Sequence, residues 1–334
     1  MITSVLERIK ANLVPAVVLA IVVGLVSGQF LGPGVESALK AAVVPILFLM
    51  VYPMMINLDL RELLKIRRHA GLVGASLVLN FGLAPIVAVG LARLFFAGDP
   101  HYAVGLYFIA LIPTSGMTAA WTGLAGGDLE GALVAMSVNL LAAVAILPAY
   151  LSVLVGADVG FEPAALYRQL AMIIVLPMVA GAVTRWGLLR QYGSDGFRRL
   201  KPTFGGLSSF GVVTIVFVAM AMRSESILAD PIASFAVIVP LVVFYAIVLG
   251  AGSVVGRRLF DSSRAVSLVY ATNMRNLSIA LAIAAAPGFP PVEAVLPIAL
   301  AYLLQPPLGA AYMQYRRDVV DDGRSVRDVI ATLR

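Results

Sequence analysis

Residues 263–287 read SRAVSLVYATNMRNLSIALAIAAAP. Arg275 stands 11 residues after Arg264 and 12 before Pro287, which at about 1.5 Å per helical residue puts it near the middle of a bilayer-spanning segment. A charge at that depth costs at least about 2.5–3.5 kcal/mol, so Arg275 is expected to face a polar cavity and to have a partner. Around it stand Thr272, Asn273, Asn276 and Ser278, neutral side chains that either satisfy backbone groups freed at a helix break or hold a solute's oxygens. A matching interruption lies upstream, where Pro113-Thr114-Ser115-Gly116 separates GLYFIALI from MTAAWTGLAGG and Thr118 and Thr122 follow. Two broken helices in corresponding positions are a pointer to a transporter's binding site, and the plainer alternative for the upstream one is a packed kink.

The surrounding chain explains why such segments are membrane helices. Of 334 residues, 60% are AVILMFWYC and 13% are charged, whereas soluble domains are about 45–50% apolar and about 25% charged. Apolar stretches lie at about 13–31, 38–56, 71–96, 102–125, 130–155, 167–189, 204–222, 231–255, 264–286 and 291–313, each near the length a bilayer core requires. Runs such as LVPAVVLAIVVGLV do not alternate, which rules out a transmembrane β-barrel. The composition therefore predicts an all-α polytopic membrane protein of ten transmembrane helices. With both termini cytoplasmic, 19 Lys and Arg fall in inner segments and four, Lys40, Arg93, Arg168 and Arg223, in outer ones, the bias of an inner (plasma) membrane protein. The net charge of +6 is read as that topology bias and not as nucleic-acid binding.

Five helices on each side of the 156–166 loop give the two halves opposite orientations, the setting of an inverted repeat. The first repeat is 1–155 and the second 156–315, followed by a cytoplasmic tail at 316–334 that is either one amphipathic surface helix or solvated chain. A shift of 157 residues carries Gly24 onto Gly181 and Gly116 onto Asn273.

Chemistry is limited by what is missing. There is no cysteine, no phosphate-binding Gly-x-x-x-x-Gly-Lys-Ser/Thr and no cluster of carboxylates; His69 and His101 fall in loops. ATP hydrolysis by a P-loop, a metal site, a cofactor and enzymatic catalysis are not expected. No carboxylate is placed near Arg275, since Asp128, Glu130 and Glu293 lie near helix ends. Its partner is then a helix-end carboxylate, the carbonyl end of a broken helix, or an anionic substrate. Asn80 and Asn139 are mid-span amides suited to interhelical hydrogen bonds; Trp121 is expected to pack or line a cavity, and Met54, Met55 and Met172 to face lipid or core.

MVYPMM (50–55), LNFGLAP (79–85), PTSGMTAAW with GGD (113–121, 126–128), SVN (137–139), VLPMVAG (175–181) and ATN with NLSIA (271–273, 276–280) resemble, in order and spacing, the bile acid:sodium symporter superfamily, closest to its arsenite efflux permease branch. The resemblance implies two inverted five-helix repeats, broken fourth and ninth helices, and panel and core domains. It also shows departures. The cysteine that arsenite permeases carry after the fourth-span proline is Thr114 here, and their ninth-span glutamate is Asn276. The sodium-binding acidic residue of the symporters falls at Ala271 and polar sodium ligands at Ala119 and Arg275, while Asn80 keeps its amide.

The expectation is a secondary transporter of a small anionic solute, an organic acid or oxyanion, working by alternating access without the usual sodium sites, with an undetermined coupling ion. Arg275, Thr114, Ser115, Thr118, Asn273 and Asn276 are expected to bind substrate, and Asn80, Trp121, Asn139, Thr272 and Ser278 to line the cavity or brace its helices. Arsenite or antimonite efflux, sodium-coupled transport of an organic anion, and a non-transporting membrane receptor are the alternatives.

Overall fold

A computed structural model describes residues 2–97, 100–154, 163–229, 231–286 and 294–316. Asp158, Glu162, Asp230, Glu293 and the tail from 317 onward lie outside them. The described residues form helices and short turns with no strand beyond a single bridge.

The chain begins with α1 (Ile2–Ala11), which buries Leu6 and leaves Glu7, Arg8 and Lys10 exposed. It continues through α2 (Leu13–Gly28) and α3 (Pro33–Asn57). A 3₁₀ turn leads to α4 (Ala70–Val78), which passes through a π turn (Leu79–Leu83) into α5 (Ala84–Phe95). The widened turn precedes Pro85, whose ring clashes with the carbonyl four residues back and cannot donate to it. That released carbonyl, Phe81 O, accepts instead from Tyr150 Oη at 2.5 Å. Next come α6 (Pro100–Leu111), α7 (Met117–Leu124), α8 (Leu129–Leu154) and α9 (Pro163–Leu170). A second π turn before Pro177 opens α10 (Leu176–Met222); α11 (Ser224–Ala229) and α12 (Pro231–Ala236) are short, and α13 (Ile238–Leu259), α14 (Ser262–Asn273), α15 (Leu277–Ala285) and α16 (Val295–Tyr315) complete the order.

Six helical stretches, Pro33–Asn57, Ala70–Phe95, Leu129–Leu154, Tyr167–Met222, Ser234–Leu259 and Val295–Tyr315, are long and apolar enough to cross a membrane, with Leu13–Gly28 and His101–Leu111 as shorter apolar helices. Large apolar side chains point outward along them, such as Ile86 at 71% and Val153 at 81% exposure, which water would not tolerate over so wide a belt and hydrocarbon does. The protein is an integral, multi-pass membrane protein. One expectation changes: 167–189 and 204–222 are not separated by an extended loop. Helix runs through the connection and bends at Gly193, whose φ of 68° and ψ of −177° suit glycine alone.

Two packed groups result. α2, α3 and α10 lie against one another, and α4–α8 with α13–α16 form the second group, meeting the first through α15 and α16. Gly24, Gly28 and Gly181 allow close approaches in the first group: a Cβ on Gly28 would stand 2.3 Å from Ala221 O, one on Gly24 2.8 Å from Phe217 O, and one on Gly181 2.7 Å from the Met55 carbonyl carbon. Gly181→Leu is expected to destabilise by about 1–3 kcal/mol through overpacking, read as a lower melting temperature of the detergent-purified protein. Gly187→Leu, with open space around the site, serves as the control, and equal melting temperatures for the two variants would contradict the packing.

Candidate functional site: a crossing of two broken helices

α6 stops at Leu111 and α7 starts at Met117; α14 stops at Asn273 and α15 starts at Leu277. The two gaps cross. Thr114 and Arg275 form an antiparallel bridge, with Ser115 N–H donating to the Met274 carbonyl at 2.7 Å and Asn276 N–H to the Pro113 carbonyl at 2.8 Å. Side chains cap the new helix starts: Asn276 Oδ1 accepts from Ile279 N–H at 3.2 Å and Ser115 Oγ from Met117 N–H at 3.2 Å. The amino ends of α7 and α15 thus meet at one point, and each carries roughly half a positive charge.

The far edge of the ninth-span break is closed by Gln305 of α16. Its Oε1 accepts from Arg275 N–H at 2.8 Å and from Tyr245 Oη at 3.1 Å, and its Nε2 donates to the Arg275 carbonyl at 2.9 Å. A single amide side chain therefore stands in for a neighbouring strand. Neither Gln305 nor Tyr245 was singled out in the sequence; an amide before a Pro-Pro pair in LLQPPLG is the available signal.

The Arg275 guanidinium is 1% exposed. Its Nη1 donates to the Ala110 carbonyl at 3.1 Å and more loosely to the Ile112 carbonyl at 3.5 Å, both at the carboxyl end of α6. Its carbon lies 5.9 Å from the centre of the Phe244 ring, and Nε and Nη2 have no hydrogen-bond partner. Among the described residues no carboxylate forms an ion pair with it. Asp128 and Glu130 are engaged elsewhere, on either side of His69, which is not in an open loop but buried at the start of α4 with Asp128 Oδ2 at 3.2 Å and Glu130 Oε1 at 3.0 Å.

A cavity of about 390 Å³ lies against the crossing. Thr114, Ser115, Arg275, Asn276 and Ser278 contribute to its buried end, where Ser278 Oγ is 2.9 Å from Tyr302 Oη; Lys10 and Lys201 stand at its exposed end. Among the described residues no Asp or Glu lines it. Met54 and Met55, expected in lipid or core, are wall residues, and Met54 Sδ accepts from Asn276 Nδ2 at 3.6 Å. Lys10 and Lys201 carried no sequence signal beyond orientation.

Other expected residues lie behind the wall. Thr118 Oγ1 is 2.9 Å from Thr114 Oγ1 and donates to the Tyr270 carbonyl, while Asn273 Nδ2 and Thr272 Oγ1 bond to their own helix at Val269 and, for Thr272, also Leu268. Neither Thr118 nor Asn273 lines the cavity. Trp121 stacks on Tyr270 at 6.3 Å and packs against Gly309. Asn80 Nδ2 donates to Asn139 Oδ1 at 2.8 Å and to the Ala271 carbonyl at 3.0 Å, and Asn139 Nδ2 donates to Ser76 Oγ at 2.9 Å. These amides tie the π turn, α8 and the end of α14 together.

A family model for the sodium bile acid symporter family matches residues 44–230, more than half the chain. The chain belongs to that family. Its similarity runs to the arsenical-resistance branch: it is 24% identical to the arsenical-resistance protein Acr3 of Alkaliphilus metalliredigens over 79% of this chain and 80% of that one. It is likewise 24% identical to the Acr3 of Corynebacterium glutamicum, over 80% of this chain and 78% of the relative. An uncharacterized transporter of Synechocystis is 23% identical over 80% and 78%. Membership makes the protein a secondary membrane transporter, not an enzyme, and implies a small-molecule solute and a coupling ion.

The family's sodium does not fit these residues. Of the aligned positions, Ala271 and Ala119 offer methyl groups and Arg275 brings a cation, so the Asn80 amide oxygen, which has no donor, stands without the others; among the described residues no group of three acidic, histidine or cysteine side chains could hold a metal ion. Gln305→Leu would leave Tyr245 O–H without its partner, at about 1–3 kcal/mol for a buried group left unpaired, and would leave Arg275 N–H and C=O with only their bonds within the segment, to Asn273 O and from Leu277 N–H. The expected result is a melting temperature many degrees lower and faster amide hydrogen exchange at 274–277; unchanged exchange there would refute the bracing role.

Proposed function

We propose that the protein carries a small anionic solute, an organic acid or oxyanion, across the plasma membrane by alternating access, with both termini cytoplasmic. Its support is the charge of the cavity: Lys10, Lys201 and Arg275 line it, and among the described residues no carboxylate does. The amino ends of α7 and α15 add partial positive charge, as at other anion sites. A neutral solute gains nothing from this field, whereas an anion gains at every depth between the lysines and the crossing. Thr114, Ser115, Asn276 and Ser278 place the solute's oxygens. Lys10 and Lys201 gather it at the cytoplasmic mouth, and Arg275 contributes a fixed positive charge behind the site.

We also read the chain as two inverted five-helix repeats, 1–155 and 156–315, ten transmembrane helices in all, with α2, α3 and α10 as a panel and the remaining spans as a core. The reciprocal packing of Gly24 and Gly181 supports this, because each sits in the first helix of its half and meets a helix of the other half. Rocking of one group against the other would move access past the crossing. A second possibility is favoured by the names of the two arsenical-resistance relatives: efflux of arsenite or antimonite, here without a thiolate, since Thr114 holds the cysteine's position and the chain has no cysteine.

Uptake into proteoliposomes of small carboxylates, inorganic oxyanions and arsenite separates the two. Anion uptake is expected, with Lys10→Gln/Lys201→Gln raising KM several-fold and the difference shrinking at high ionic strength as exposed charges are screened. Arsenite transport with no anion transport would reject the proposal.

A further inference from the structure

The Arg275 side chain is oriented in an unusual way for a buried cation. Its main chain is clamped on both sides, by Gln305 through N–H and C=O and by the crossing through Met274 and Asn276. The guanidinium therefore reaches the last carbonyls of α6, Ala110 O and Ile112 O. Those oxygens end a helix broken inside the membrane, where a partial negative charge collects and no following turn supplies donors. A cation is what such a helix end requires, and Arg275 brings one with no carboxylate beside it among the described ion pairs.

We propose that Arg275 is a tethered cation: its guanidinium permanently fills, from within the chain, the carbonyl site at the broken end of α6, so that the crossing assembles and the solute site is charged without sodium. A soluble cation bound beside it would meet a like charge, and the amide oxygens of Asn80 and Asn273 left without donors are neutral and offset none of that repulsion. The proposal rests on taking the crossing as the solute site. It deepens that assignment by making transport independent of the sodium gradient, leaving the solute to move alone, by exchange, or with protons.

The test needs no transported solute. Wild-type protein, purified in detergent, is melted in sodium chloride and in choline chloride at equal ionic strength, and equal melting temperatures are expected. Arg275→Ala is expected to melt several degrees lower, and millimolar guanidinium, but not choline, is expected to restore at least half of the loss. Arg275→Lys, which keeps the charge on a single donor group, is expected to fall between wild type and alanine. Stabilisation of the wild type by sodium over choline would overturn the proposal. So would an Arg275→Ala protein as stable as wild type, or one that guanidinium does not restore while lysine is no better than alanine. If alanine does not fold, the wild-type salt comparison and the lysine variant decide. Passing these tests while binding no anion would leave the tether standing and remove the anion assignment, so the two failures are distinguishable.

Discussion

A helix that breaks inside a bilayer leaves N–H and C=O groups where no water can reach them, and each unpaired group costs several kcal/mol. Here the two breaks satisfy each other. Ser115 and Asn276 each donate across the crossing to the opposite gap, and Gln305 supplies the donor and acceptor that the outer edge of the 274–276 segment lacks. The arrangement allows little slack, because moving either break by one residue would strand at least two backbone groups. Residues flanking it, such as Leu268, Tyr270, Ile279 and Ile298, are fully buried, so the crossing is packed in the interior of the second helix group.

The same constraint creates the site. Breaking a helix produces two ends of opposite partial charge, and crossing two broken helices gathers two amino ends at one point while their carboxyl ends lie behind. At the crossing, hydroxyl and amide side chains and the cationic lining face a cavity with no acid among the described residues. Behind it, the α6 carbonyls hold a guanidinium. Substituting an apolar residue for a buried ion pair is often neutral, but Arg275 is not one of an ion pair. Its partners are helix-end dipoles, which are present wherever the break is present, and the arginine's position is therefore linked to the fold itself.

Much of this was legible in the chain. Proline, glycine and short polar residues at 113–116 and polar residues at 272–278, each within an apolar run, marked both breaks, and the depth of Arg275 marked a polar interior. The residues misplaced by sequence reasoning share one cause. Thr118 sits on the same helix as the wall residues Met117 and Ala119 but a fraction of a turn away, and Asn273 ends α14 just before the wall residue Arg275; both side chains bond to the α14 backbone instead. Met54 and Met55 look like lipid-facing residues because apolar side chains read alike on every face of a span. Lys10 and Lys201 sit near the ends of a helix and of an interhelical connection, where positive charge is expected from orientation alone.

What the sequence by itself determined was the membrane class, the helical nature of the spans and the location of the breaks. These follow from one-dimensional properties: hydropathy over the thickness of a bilayer and the local chemistry of proline, glycine and polar residues set inside apolar runs. What only the tertiary structure decided was which faces meet. Gln305 reaches Arg275 across 30 residues, and the guanidinium reaches the Ala110 carbonyl across 165. A helix offers its side chains in all directions, and only the packing of helices distant in sequence selects which direction is the cavity and which is the carbonyl end that an arginine can cap.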